Sequence, residues 1–356
     1  MRVSIYIICC IVFSACGKQQ TAENQHGFNK VTIQALSTDT ISIRSLTKIN
    51  DSIIGFGYDK GYGLINLITA TKTLFPVDNS EFISLDTQPR TAEQRATAFN
   101  GVYFFSLGVG SPTVLRKHDS KTGQNFVVYV EKHEATFYDA MAFWNKDEGI
   151  AIGDPTNACL SIIITRDGGE QWEKISCERL PKIIKGEAAF AASNSNIVLH
   201  GDNAWIVSGG MVSRVYHSAD KGHSWSVVRT PMIGGTPTTG AYAMDFYDSQ
   251  NGFIVGGDYT NPTANRANKA ITNDAGNSWS LVADSEGPGY KSCVRYVPNS
   301  LAKEIVALGV TGISYSNDQG VSWKELSKES FYTMIFINDS IAIAAGKNKI
   351  AKLYFD

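Results

Sequence analysis

A chain of 356 residues with 43% hydrophobic and 19% charged residues has the composition of a folded protein, which excludes intrinsic disorder. Its formal charge of −2, with no basic run longer than two residues, leaves no electrostatic footprint for nucleic acid, and none is expected as a partner. Length alone allows two or three average domains. Propellers run this long as one domain, and 32 glycines with 15 tyrosines suit many short strands joined by tight turns.

In chain order, the first element is a leader. "MRVSIYIICCIVFSACGKQQ" has one Arg, an apolar stretch from Val3 to Phe13, and small residues before Cys16. The apolar run is too short to span a bilayer and reads as the core of a signal peptide over 1–15. Phe13-Ser14-Ala15-Cys16 resembles a bacterial lipobox, which implies cleavage before Cys16 and lipidation of that cysteine. Its acyl chains would anchor the protein stably to a membrane. Gly17, where an Asp would retain the protein inside, points by analogy to the outer membrane of a Gram-negative envelope. The polar stretch up to residue 30, "GKQQTAENQHGFNK", reads as a flexible tether from Cys16.

"VTIQALS" follows as a strand, and after it the chain is periodic. Ser/Thr-x-Asp-x-Gly-x-x-Trp occurs four times: "TRDGGEQW" (Asp167, Trp172), "SADKGHSW" (Asp220, Trp225), "TNDAGNSW" (Asp274, Trp279) and "SNDQGVSW" (Asp318, Trp323). "SKTGQNF", with Lys121 and Phe126, and "TATKTLF", ending at Phe75, are worn copies. Successive gaps of 51, 46, 53, 54 and 44 residues match four-stranded propeller blades. "FYDAMAFW", "GIAIGD", "CLSIIIT" and "WEKIS" supply four strands of one period, and "AYAMDFY", "GFIVGGD", "KAITND" and "WSLVA" repeat the plan. No run keeps helical spacing, so helix content should be very low. The last stretch, "FYTMIFINDSIAIAAGKNKIAKLYFD", holds three strands, and "VTIQALS" can supply the fourth, leaving no open edge. The expectation is an all-β chain over 31–356: one propeller with seven four-stranded antiparallel blades, monomeric.

The boxed turn joins the third and outer strands of each blade. Its Asp accepts backbone N–H groups, its Gly supplies positive φ, and its Trp staples the hairpin. One carboxylate per turn is far short of a Ca²⁺ site. Across "TRDGGEQW", facing positions have numbers summing to about 337 (Thr165 with Trp172); Cys159 and Cys177 sum to 336. An exported location permits a disulfide between them. Cys293, alone in an inner strand, reads as a buried core residue.

These boxes are Asp-box (BNR) repeats, which occur in sialidases and in many unrelated propellers. The fuller resemblance is to bacterial propellers of the photosystem II stability/assembly factor family, some of which carry the label oxidoreductase. It rests on "FYDAMAFWNKDEGIAIGDP", "GEAAFAASNSN", "AYAMDFYDSQNGFIVGGDY" and "VALGVTGISYSNDQGVSW" and covers roughly 40–356. The first blade, "GFGYDKGYG", departs from the pattern and has no box.

Inner strands line a propeller's channel, whose polar mouth is the usual ligand face. Aligning the blades on their box aromatics brings Arg44, Arg95, Asp139, Glu187, Tyr242, Lys291 and Tyr332 to equivalent inner-strand starts. Arg44 and Arg95 lie 31 residues before their box aromatics, Lys291 32, Asp139 33 and Glu187 38. Asp154 and Asp258, where second strands end, and Arg214, where a third begins, join the same mouth. The ring is split, with cations in blades one, two and six and acids in blades three and four. That suits a ligand with an anionic end and hydroxyls or amines at the other.

The leading expectation is a membrane-anchored binding or assembly module for a protein partner or a small polar, anionic ligand. The alternative is a glycoside hydrolase or lyase using Asp139 and Glu187 as catalytic carboxylates. A sialidase would show Phe/Tyr-Arg-Ile-Pro, whereas "SIRSL" lacks the Pro. "GVGSPT" has no third Gly or following helix, so no dinucleotide cofactor is expected. His217 and His223 straddle a box turn on the outer rim, and no metal cluster is legible.

Overall fold

The computed structural model describes residues 26–79 and 92–356; the leader, the lipobox with Cys16 and most of the tether lie outside these. Among the described residues the regular elements are 29 strands and one three-residue 3-10 turn, Cys177–Arg179. The near absence of helix follows from runs such as Ser161–Thr165 (SIIIT), which are short, β-branched and bounded by turn residues.

In chain order, β1 is Val31–Ser37. A first sheet holds β2 (Ile43–Lys48), β3 (Ile53–Tyr58), β4 (Gly61–Asn66) and β5 (Lys72–Pro76). A second holds β6 (Gln94–Phe99), β7 (Phe104–Gly108), β8 (Thr113–His118) and β9 (Asn125–Glu131). A third holds β10 (Tyr138–Phe143), β11 (Gly149–Gly153), β12 (Ser161–Thr165) and β13 (Glu173–Lys174).

A nine-stranded sheet follows. Its first part is β14 (Glu187–Ala188), β15 (Ile197–His200), β16 (Asn203–Gly210), β17 (Arg214–Ser218) and β18 (Ser226–Arg229). Its second part is β19 (Thr239–Phe246), β20 (Gly252–Asp258), β21 (Lys269–Thr272) and β22 (Ser280–Leu281). The two parts join through a single pair, Gly209 with Gly240. Next come β23 (Cys293–Tyr296), β24 (Ile305–Gly309), β25 (Gly312–Ser316) and β26 (Lys324–Ser327). The last sheet has the order β1-β29-β28-β27, from β27 (Thr333–Phe336), β28 (Ile341–Gly346) and β29 (Lys349–Phe355).

All pairings are antiparallel, and β1 lies along β29 from Val31 opposite Phe355 to Ser37 opposite Ile350. The edge that β29 would present is therefore covered by the chain's own beginning. The innermost strands pack in a closed circuit: β2 against β6, then β10, β15, β19, β23 and β27, which returns to β2. Cores lie between neighbouring sheets, as where Phe105, Tyr138, Met141, Ile163 and Trp172 cluster.

The box turns behave as their composition demands. Asp220 Oδ1 accepts from the Ser218 hydroxyl at 2.7 Å and the Ser224 N–H at 2.8 Å, while Gly222 N–H donates to Ser218 Oγ at 2.7 Å. Trp225, Trp279 and Trp323 each donate Nε1–H back to the box glycine's carbonyl. The glycine serves a second purpose: at φ +86°, Gly169 sits so close to Phe105 of the preceding sheet that a Cβ would lie 2.4 Å from the ring. Each box thus pins one sheet to the next as well as closing its own hairpin. Beside the first box, Ile163 faces Lys174, a register whose numbers sum to 337, and Cys159 and Cys177 are joined by a disulfide with Cα atoms 5.4 Å apart. Cys293 is a buried free thiol.

Candidate functional site

The innermost strand facing β16 is broken. Between β14 and β15, residues 189–196 leave the sheet and cross the middle of the ring. Asn194 Nδ2 donates to Thr97 O at 3.0 Å and its Oδ1 accepts from Met141 N–H at 3.0 Å. The Ser193 hydroxyl donates to Ser292 O at 2.6 Å, Thr333 Oγ1 donates to Ser193 O at 3.0 Å, and Met244 N–H donates to Ser195 O at 2.8 Å. One segment therefore ties itself to β6, β10, β19, β23 and β27 or the residues just before them. It divides the channel into two vestibules on opposite faces.

On the side where the innermost strands begin is a cavity of about 370 Å³. Phe190, Ala191 and Ala192 of the plug form its floor, and Arg44, Arg95, Tyr242, Tyr259, Tyr290, Ser292, Val310 and Tyr332 form its walls. Aromatic contacts fix the walls: Phe190 stacks on Tyr242 at 4.0 Å, and Tyr290 meets Tyr242 edge-on at 4.9 Å. The Tyr242 hydroxyl donates to Thr238 O at 2.8 Å, which locks its ring. Tyr259 comes from the long connection between β20 and β21, held down where Tyr290 N–H donates to Pro262 O at 2.9 Å.

The two arginines differ in kind. Arg95 grips Glu93 with Nε at 2.8 Å from one carboxylate oxygen and Nη2 at 3.0 Å from the other, so its charge is balanced. Arg44 lies 4.1 Å over the Tyr332 ring and has no hydrogen bond or ion pair among the described residues. Burial, and then the nearby Arg95, push its pKa below the ordinary arginine value. It stays a cation nonetheless, held in a half-buried, aromatic setting where Glu93, already bound to Arg95, is the acid that acts on it from a distance.

The acids expected at the mouth are not in the cavity wall. Glu187 is buried behind it and accepts from Arg214 Nε at 2.9 Å, Ser208 Oγ at 2.5 Å, Tyr216 OH at 3.0 Å and Ile184 N–H at 2.9 Å. Arg214 closes that network on Lys182 O at 2.8 Å, so both charges are consumed within their own sheet. Asp139 is fully buried, and among the described residues its carboxylate has no side-chain partner; only the backbone N–H groups of Asp154 and Ala191 approach it, without good hydrogen-bond geometry. Burial first, then Asp154, raises its pKa well above the carboxylate range, with Arg95 opposing. Asp154 accepts from Ala189 N–H at 2.8 Å, which anchors the start of the plug, and burial pushes its carboxyl up to about 6. These two acids lie beneath the floor and do not line the cavity. The pairing of Asp139 and Glu187 as catalytic carboxylates is therefore corrected.

Lys291 is also displaced. It is buried, Nζ donates to Gly312 O at 2.7 Å, and burial pushes its pKa down to about 7. It borders a different pocket, with Gly287, Pro288 and Trp323. Side chains alternate across a strand, and Tyr290 and Ser292 on either side of Lys291 take the cavity positions instead. Asp258 is used up at the end of β20, where it accepts from Thr260 N–H at 2.9 Å and the Thr260 hydroxyl at 2.7 Å. The ring split between cations and acids thus becomes one unpaired arginine, one balanced arginine and a wall of aromatic rings.

Sequence reading missed Phe190, Ala191, Ala192, Tyr259, Tyr290, Ser292 and Val310. For the plug a signal existed: Glu187 precedes its box Trp by 38 residues against 31 to 33 for Arg44, Arg95, Lys291 and Asp139. That surplus is the segment that crosses the channel. The vestibule on the box face, about 300 Å³, is lined by Thr47, Thr97, Asn194, Asp245 and Arg295 among others. Its Arg295 lies 3.8 Å from Asp245 and is thereby partly balanced. Among the described residues no group of three or more potential metal ligands converges, and no helix is long and apolar enough to cross a membrane.

Comparison with known proteins agrees with this geometry. Residues 119–243 match the family model of the Photosynthesis system II assembly factor YCF48. A structure of YCF48 bound to a D1 peptide is similar with a TM-score of 0.60 at 13% identity, over 93% of this chain and 96% of that one. YCF48 from Cyanidioschyzon merolae gives 0.63 at 11% identity, over 92% and 99%. The WD40 repeats of RRP9 give 0.61 at 11% identity, over 92% and 98%. At such identities the structures share the fold. No curated protein matches the chain by sequence. The resemblance to the assembly-factor family holds, carried by the family model in the middle of the chain and by a propeller fold along nearly all of it.

Proposed function

We propose that this YCF48-like propeller is a binding module that holds the anionic end of a peptide or protein partner in the Arg44 cavity. The observation that carries the reading is Arg44 itself: a cation over Tyr332, without a hydrogen bond or ion pair among the described residues, in a cavity of about 370 Å³ walled by aromatic rings. A guanidinium in that state is stabilised by a carboxylate or phosphate arriving from outside, and the fork geometry favours bidentate contact. Tyr242, Tyr259, Tyr290 and Phe190 suit an apolar or aromatic body behind the anion. The similar YCF48 structure is bound to a D1 peptide, which supports a peptide as the occupant.

The reading extends to architecture and address. Counting the nine-stranded sheet as two blades joined at Gly209 and Gly240 gives a seven-bladed ring, and the closed circuit of seven innermost strands supports that count. The mature chain begins at a lipidated Cys16 and is held, as a monomer, at the outer membrane of a Gram-negative envelope. The hydrolase reading loses its support, because Asp139 and Glu187 do not line the cavity.

The test is a panel of short free-acid peptides and their C-terminally amidated counterparts, titrated calorimetrically into the protein. Free acids should bind at least tenfold tighter, the equivalent of about 1.4 kcal/mol. Equal binding of acid and amide, or binding of neither, would overturn the reading.

A further inference from the structure

The cavity and the tether leave the ring from opposite faces. Innermost strands begin at the cavity, as with Arg44 in β2, and run away from it. In the closing sheet Val31 pairs with Phe355 and Ser37 with Ile350, while β29 starts at Lys349 beside Gly346. Because β27 runs away from the cavity, β28 returns and β29 runs away again, Phe355 ends on the far face. Val31, opposite it, begins there too. That far face is the one carrying the Asp-box turns.

The residues before β1 are fixed to the same face. His26 N–H and Gly27 N–H donate to Glu304 Oε1 at 2.9 and 3.0 Å, and His26 Nδ1 lies 2.5 Å from Glu304 Oε2. Glu304 is fully buried and also accepts from Tyr315 OH. Phe28 is buried against Tyr315 and Phe355, with ring centroids 5.0 and 5.2 Å away, and Asn29 and Lys30 donate to Asp356 O. The chain is therefore clamped at His26, on the box face.

We infer that the protein stands with its Asp-box face toward the membrane and its Arg44 cavity facing away, toward a partner in the aqueous space. This rests on the proposed anchor at Cys16. Nine residues lie between Cys16 and His26, and the ten steps span at most about 35 Å drawn straight. To turn the cavity to the membrane, they would have to climb the outer edge of β1, seven residues or about 23 Å. That pose takes up at least about two thirds of the tether's reach, beyond the relaxed span of roughly 17–19 Å for a flexible chain of this length, and so surrenders conformational freedom. With the box face down no such extension is required. The partner is accordingly a soluble protein or the exposed terminus of a neighbouring membrane protein, and not the headgroups of the anchoring leaflet.

Single cysteines in one sheet read the orientation. Val310→Cys marks the cavity face and Val321→Cys the box face, and both positions are exposed. Among the described residues Cys159 and Cys177 are bonded and Cys293 is buried; on the proposed processing Cys9 and Cys10 leave with the leader and Cys16 is lipidated, so the new thiol is the one that takes a dye. The full-length chain, processed in cells and reconstituted in vesicles with a headgroup-labelled acceptor lipid, should show about twofold or more transfer from position 321 over 310, since β25 separates the two faces by about 17 Å. Vesicle-bound protein with equal or stronger transfer from position 310 overturns the orientation while leaving the anchor intact. Protein that does not sediment with membranes overturns the anchor, and the orientation with it. Peptide binding in solution, measured separately, is untouched by either result.

Discussion

The two faces of the ring teach different things. On the box face the same solution recurs: Asp167, Asp220, Asp274 and Asp318 each take hydrogen bonds from their own turn. On the cavity face the charged groups are satisfied differently from sheet to sheet. Among the described residues Arg44 has no ion pair, Arg95 is balanced by Glu93, Asp139 is buried without a side-chain partner, and β14–β15 gives up its strand to build a floor. Repetition marks what every blade needs in order to fold. Unsatisfied, unrepeated groups mark where the molecule does something else.

The comparison can be broken most severely at the closure. Deleting residues 26–37 removes the Glu304 clamp, unseats Phe28 and exposes the edge of β29. Burial of a large apolar side chain contributes about 1.5–3 kcal/mol, so the total loss should be on the order of 5 kcal/mol. A urea midpoint unchanged by the deletion would show that the ring does not depend on this strand.

Next in size is Glu187→Ala, which strands the Arg214 guanidinium inside its sheet. Removing one partner of a buried pair costs about 3–5 kcal/mol. If Glu187 instead served a ligand, the variant would stay stable and lose binding. Calorimetry with the peptide panel separates the two outcomes.

The pH dependence distinguishes the faces by sign. Asp154 has a folded pKa of about 6, above the unfolded value of about 3.9. Its penalty is absent well below pH 4, grows as pH rises past the unfolded value and is fully present above about pH 6. The box acid Asp220 goes the other way. Burial pushes it up, but the Ser224 hydroxyl and N–H and the Ser218 hydroxyl outweigh that and hold it at about 2. Its contribution is present above pH 4 and fades as pH falls toward 2. Asp139, which burial and then Asp154 hold well above the carboxylate range, has the same sign as Asp154, so Asp139→Asn should raise the melting temperature at pH 7 and have little effect at pH 4. A drop at pH 7 would mean that the carboxylate form is needed.

Smaller again is Asp220→Ala, which loses the turn's acceptor at a cost of about 1 kcal/mol. It should leave peptide affinity unchanged, because the box lies on the face opposite the cavity. Lost affinity at unchanged stability would place function on the box face.

Much of the fold was legible because repetition averages out local ambiguity. Four tryptophans at matching intervals fixed the sheet period, and the shortage of strands after Phe331 called for Val31–Ser37. The register across Thr165 and Trp172 was enough to bring Cys159 opposite Cys177. The site was legible only where a residue followed its blade's pattern. Arg44, Arg95, Tyr242 and Tyr332 reach the cavity from aligned positions. Lys291 failed by one residue, since alternation turns a single step into the opposite face. Glu187 failed because the alignment counted through the plug as though it were strand. Asp139 kept its place, but no spacing argument reveals that Ala191 and Ala192 would roof it over. Tyr259 came from a loop whose path no periodicity encodes.

The central claim is that Arg44, alone among these charges, waits for a partner from outside. The direct measurement is the affinity of Arg44→Ala for a free-acid peptide that the wild-type protein binds, with melting temperatures recorded alongside. A guanidinium–carboxylate contact in a half-buried site contributes about 1.5–3 kcal/mol, so affinity should fall by roughly tenfold to a hundredfold. Stability should hold or rise slightly, because an uncompensated charge leaves the cavity. Undiminished affinity, or a variant that binds normally but unfolds, would contradict the account.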